Sequence, residues 1–275
     1  MEDYIIKKRN DGSVVTVREV QLVLLEMLKD IDVLCRKHKI PYFMSGGSCL
    51  GAIRHQGFIP WDDDADICMM REDYLKFQAF VSELGDQYYT QDFDHDTRYN
   101  VAIPAMKIRL KGTYCKEVNF MLENRCAGDG LFIDVFIADY ISPSKNKDRF
   151  WRCIQIFLMV VITFFEVLHI NFVPLKRLFV NNARRYGFKN QKSELIGYEL
   201  TWTFDLLKKP IIYKKADIYP VEYVPFEDTM LPIPRIPKSL LDVEVGTTYM
   251  SYPPKKDQMP KHLVDANLDG EMKID

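Results

Sequence analysis

A single carboxylate stands inside an otherwise apolar run. Asp134 lies in LFIDVFI, with Ile133 and Val135 on either side. Such a run reads as a strand in the middle of a sheet. A lone acid there is costly unless it is paired, protonated or bound to a metal. Any fold this chain adopts must therefore bring something to Asp134.

A second acidic stretch offers a partner. In WDDDADICMM, Asp62, Asp63, Asp64 and Asp66 run straight into apolar residues. ADICMM reads as a strand, and residues two apart on a strand face the same side, so Asp64 and Asp66 project together. Two carboxylates about 4 Å apart repel by about 4 kcal/mol at an effective dielectric of about 20. A shared proton, a basic neighbour or a divalent metal has to offset that. An all-oxygen donor set favours Mg2+ or Mn2+ over zinc. If this strand lies beside the one carrying Asp134, the three acids form a trio. Asp62 and Asp63 read as loop-capping or supporting groups, and Asp139 as the start of a turn.

Just upstream, YFMSGGS reads as a short strand that breaks at Gly46 and Gly47, with Ser48 as N-cap of a helix through CLGAIRH. Two glycines between a strand and a helix let main-chain N–H groups approach a phosphate, and Ser48 adds a hydroxyl. No Gly-Lys-Ser/Thr follows, so this is not a Walker A loop, and alone the pair reads equally well as a turn.

The surroundings are α+β. TVREVQLVLLEMLKDIDVLCRKHKI carries Val20, Leu24, Leu28, Ile31 and Cys35 at helical spacing, with Thr16 and Glu19 as a capping box. REDYLKFQAFVSEL reads as another helix, GDQYYTQDFDHDTRYN as a polar, mobile connection, and VAIPAMKIRLKGTYC as strand, turn and strand. From about Lys145 the pattern is helical to about Leu207 and then proline-rich. The expected organisation is a catalytic core over residues 14–140 and a helical, proline-rich extension over residues 145–275, packed on it.

With 275 residues, 47% of them hydrophobic, the chain can bury a large core. A net charge of −2 supplies no basic field, so no nucleic-acid partner is expected. The six cysteines form no CxxC pair, which excludes the common zinc spacings. With a polar start, MEDYIIKKRNDGS, this points to a cytoplasmic protein with reduced thiols. The apolar segment between Ile154 and Val173 has about the 20 residues needed to span a bilayer, but Gln155, Glu166, His169 and Asn171 interrupt it, so a true span is the last of three readings. It reads first as a buried core helix and second as a peripheral contact with the inner face of the membrane.

GGSCLGAIRHQGFIPWDDDADI resembles the signature of the LicD family, phosphocholine transferases of bacterial surface polysaccharides related to fukutin-type proteins. GLFIDVFIADY resembles its second block, although the proline often found there is missing, and KIRLKGTYC and YMSYPPKKDQMPKH are weaker matches. The resemblance implies a nucleotidyltransferase-like α+β core with a mixed sheet flanked by helices, extended by a mainly helical C-terminal part. It also implies a phosphate-contacting loop at Gly46, Gly47 and Ser48, and metal-binding, catalytic carboxylates at Asp64, Asp66 and Asp134. The donor it implies is CDP-linked, such as CDP-choline, and the acceptor a glycan or lipid-linked glycan, as in lipopolysaccharide or teichoic acid. Arg54 and Lys107 are candidates to neutralise the leaving CMP. Two other readings use the same residues: a nucleotidyltransferase that moves NMP from an NTP, and an inactive scaffold of the polysaccharide machinery.

Overall fold

The computed structural model describes residues 4–118, 125–202 and 210–269. Strands β1 (Ile5–Lys8) and β2 (Val14–Thr16) pair antiparallel and lead into helix α1 (Val17–His38). Thr16 and Glu19 close the expected capping box, and Val20, Leu24, Leu28, Ile31 and Cys35 are buried. Strand β3 (Phe43–Met44) and helix α2 (Gly46–His55) follow, then β4 (Asp66–Met70) and α3 (Arg71–Phe80). Next come β5 (Tyr88–Asp92), β6 (Met106–Leu110), β7 (Tyr114–Glu117) and the long β8 (Phe132–Tyr140). Helices α4 (Lys145–Val167) and α5 (Val173–Lys189) form a hairpin, followed by β9 (Leu195–Tyr198), β10 (Ile212–Lys214) and the short α6 (Lys215–Ile218). The last described elements are the β11 (Glu222–Phe226) and β12 (Thr229–Ile233) hairpin, α7 (Pro237–Glu244) and β13 (Leu263–Asn267).

A mixed seven-stranded sheet organises the molecule. Its centre is β8, nine residues long, which pairs in parallel with β4 on one side. On the other side its first half pairs with β6 and its second half with β9, both antiparallel. Beyond these lie β3, β5 and β10. Ile67, Met69, Ile133, Val135 and Ile137 enter the main core with Leu24, Leu28 and Ile31 of α1.

Three readings of the chain need correction. The polar stretch at residues 88–92 is a strand, because its partners satisfy it: Gln91 donates to the carbonyls of Ala127 and Gly128, and Asp92 accepts from the N–H groups of Asp94 and His95. Residues 195–198, read as helix, are a strand hydrogen-bonded to β8, so the C-terminal half contributes to the central sheet as well as supplying helices. The apolar segment after Ile154 is not a core helix. α4 turns Phe157, Val160 and Phe164 to solvent and ends at Val167.

Candidate active site

The register of β4 on β8 sets Asp66 opposite Asp134. Paired residues of neighbouring strands point to the same face, so both carboxylates leave the sheet together. The next pairing places Lys107 of β6 on the other side of Asp134. Its ammonium lies 2.9 Å from Oδ1 of Asp134 and 3.1 Å from Oε2 of Glu117, over the ring of Phe132. Lys107 is only 3% exposed. The lone acid of LFIDVFI is therefore met by a buried cation, which Glu117 shares and Arg109 supports from 2.7 Å on Glu117.

Asp64 precedes β4 and belongs to a second cluster. Ligand atoms of Asp62, Asp63, Asp64 and His262 all lie within 4.8 Å of one another. Asp63 is a structural anchor: the backbone N–H groups of Lys261, His262 and Leu263 donate to it. The His262 ring lies 2.8 Å from Asp64 and 3.4 Å from Asp63. The pairing of β13 with β7 carries this histidine to the acids. Asp64, Asp134, Glu117, Phe132, Lys261 and His262 line a cleft of about 250 Å³ with Val118.

The charges reinforce one another. Burial, then the neighbouring carboxylates of Asp64 and Asp134, push Asp66 well above the usual carboxylate range. Burial and Asp64 do the same to Asp62. Burial raises Asp134 too, against the pull of Lys107. Asp63 goes down, because the hydrogen bonds it accepts outweigh its burial. Burial opposes charge on His262, but the bonds to Asp63 and Asp64 prevail and lift the imidazole to about 11.

These acids suit a divalent cation. Among the described residues no cation forms an ion pair with Asp62 or Asp66, and their mutual repulsion is what a metal would relieve. Oxygen donors dominate the set, with one imidazole beside them.

The glycine turn departs from expectation. α2 starts at Gly46, so Ser45 holds the N-cap position and Ser48 lies in the first turn. Ser48 Oγ accepts the backbone N–H of Asp66 at 2.9 Å and so ties the helix to the strand. Gly46 has φ +52°, and a Cβ there would come within 3.3 Å of Asp66. A Cβ on Gly47 would collide with the carboxylate of Asp62. The glycines let the backbone run against the acids. The N–H of Gly46 already donates to Glu244 of α7 at 2.8 Å.

Arg54, at the end of α2, donates to the carbonyls of Tyr249 and Ser251 and stacks on Tyr252. It holds the C-terminal segment near Asp62. Asp139 starts no turn: it is buried in β8 and ion-paired with Arg71, which also binds Glu199. Sequence reasoning missed His262, Glu117 and Glu244 as neighbours of the site. His262 had a visible signal, since it closes YMSYPPKKDQMPKH, one of the weaker family matches.

Residues 39–149 match the family model described as LicD/FKTN/FKRP, nucleotidyltransferase domain. That stretch is similar to the LicD-family domain. That match contains α2, β4, β6, all of β8 and the first turn of α4, hence every predicted site residue. Similarity also reaches beyond that stretch. The lipopolysaccharide cholinephosphotransferase LicD of Haemophilus influenzae is 27% identical over 279 aligned residues, covering 92% of this chain and 98% of the relative. Uncharacterised proteins of Rickettsia prowazekii and Rickettsia typhi are similar over shorter stretches, at 39% identity over 80 residues and 45% over 68. These cover 29% and 25% of this chain and 29% and 22% of the relatives.

Proposed function

We propose that this protein transfers a phospho-substituent, phosphocholine or a close analogue, from a CDP-linked donor to a sugar hydroxyl of a cell-surface glycan, with release of CMP. The observation that carries this reading is the near full-length similarity to the Haemophilus cholinephosphotransferase. The paired acids of β4 and β8 support it.

Asp64 and Asp66 would hold Mg2+ or Mn2+, with Asp134 as the third acid. The metal, when bound, supplies charge neutralisation on the donor's diphosphate. The chain's own residues do the rest. Asp134, whose burial raises its proton affinity, is suited to accept the proton of the attacking hydroxyl. Lys107 fixes the orientation of that carboxylate. Lys261, in the lining of the cleft, would face the donor's phosphates, the Gly46–Ser48 turn would meet them from beside Asp66, and Arg54 holds the C-terminal segment in place.

Purified protein, magnesium and CDP-choline should yield CMP when a glycan acceptor is present, read by chromatography of the nucleotides. The family model's description as a nucleotidyltransferase domain favours a second reading, NMP transfer from an NTP. The same chromatogram separates the two. CMP from CDP-choline supports phosphocholine transfer, and pyrophosphate from an NTP with no CMP overturns it.

A further inference from the structure

Helix α4 has an apolar outer face and a mixed inner one. On the inner side Leu158 and Ile162 pack with Phe179 and Val180 of α5, while Asp148 pairs with Arg152 at 2.8 Å, Gln155 donates to the carbonyls of Phe179 and Leu200, and Glu166 pairs with Lys176 of α5 at 2.6 Å. Its solvent side is apolar. Phe150, Phe157, Val160, Phe164 and Val167 recur at helical spacing, and Phe157 is 67% exposed. Leu168, Ile170 and Phe172 continue the surface around the turn, and Leu178 and Phe188 extend it onto α5. A surface helix of a soluble protein ordinarily turns a polar face outward.

The charge on this hairpin has one sign. Between residues 145 and 192 the acids are Asp148 and Glu166, both buried and paired. Lys145, Lys147, Arg149, Arg177, Arg185 and Lys189 are exposed. A surface of aromatic and aliphatic side chains among cations complements an anionic lipid interface.

We propose that the exposed face of the α4–α5 hairpin docks on the surface of a bilayer containing anionic phospholipid. The helix lies in the interface and does not cross it, although α4 has the length and hydropathy of a span. Crossing would tear the buried pairs of Asp148 and Glu166 from the protein. A second copy of this chain is a poor occupant, since a two-fold contact would set this positive face against itself. Docking would hold the cleft close to a membrane, where a lipid-linked acceptor resides.

Flotation with phosphatidylcholine vesicles, with and without phosphatidylglycerol, tests this. The 275-residue protein should float with the anionic vesicles and release as salt rises. Phe157→Ser with Phe164→Ser should reduce binding by about tenfold, and Lys147→Glu with Arg185→Glu and Lys189→Glu should abolish the preference for anionic lipid. Circular dichroism checks that the variants fold. Independently of any such substitution, an environment-sensitive dye on Cys153, the exposed thiol of α4, should shift to the blue on adding anionic vesicles. A protein that stays at the bottom with both vesicle types overturns the proposal, as do variants that float like the parent. So does a dimer, seen by light scattering, that the double serine variant dissolves.

Discussion

Leu263 donates its backbone N–H to Oδ2 of Asp63 at 2.7 Å, across 200 residues of chain. With the N–H groups of Lys261 and His262 on the same carboxylate, this bond straps the C-terminal segment over the acidic cluster. Asp63→Ala leaves these donors without their acceptor and should cost about 1–3 kcal/mol of stability. The expected result is a lower melting temperature and faster proteolysis within residues 250–262.

Asp66→Asn and Asp134→Asn should each reduce CMP release by about a hundredfold or more. Stability should move the other way for Asp66→Asn. Its carboxylate is raised by burial and by Asp64 and Asp134, so an ionised Asp66 opposes folding. The metal-free variant should melt at or above the parent temperature. Simultaneous loss of fold and activity would show that Asp66 is structural.

Lys107→Met leaves Asp134 buried without its cation and should destabilise by about 3 kcal/mol. Lys107→Met combined with Asp134→Leu should recover part of that, because no buried charge remains unmatched. Denaturant midpoints for the two single variants and the double variant measure the coupling directly.

The pH dependence has a definite sign. His262 is raised from its ordinary value of 6.5 to about 11, so the folded protein holds a proton that the unfolded chain releases. Its stabilisation is fully present below pH 6.5 and is lost as pH rises towards about 11. The side chain is 48% exposed, so solvent screening keeps the effect to about 1 kcal/mol. Raised Asp62 and Asp66 slope the same way above the ordinary carboxylate range. Melting temperature of metal-free protein should fall from neutral to alkaline pH, and His262→Gln should flatten the curve.

Calorimetry should detect uptake of magnesium or manganese by the parent and none by Asp64→Asn with Asp66→Asn. A chelator should abolish CMP release, and added magnesium should restore it. Unchanged turnover in the chelator would remove the metal from the mechanism.

Much of the site could be read from local pattern. Asp134 betrayed itself by polarity in an apolar strand, and Asp64 and Asp66 by their density before one. Their neighbours could not be read the same way. Lys107 reaches Asp134 through strand register, Glu117 through β7, and His262 through a pairing formed at the far end of the chain. No periodicity encodes such meetings. The misread strand at Tyr88–Asp92 has a related cause, since Gln91 and Asp92 are buried by satisfying backbone groups rather than by being apolar.

Glu244 gives the turn before α2 a resident anion. A phosphate brought to Gly46 would be swapped in for a carboxylate, so the local charge balance would change little. Discrimination at that spot then falls to geometry and donor count instead of bulk attraction. Because Glu244 closes α7 and also accepts from the Tyr213 hydroxyl, the same exchange would leave its carboxylate held beside the turn, from where it could return once the nucleotide departs.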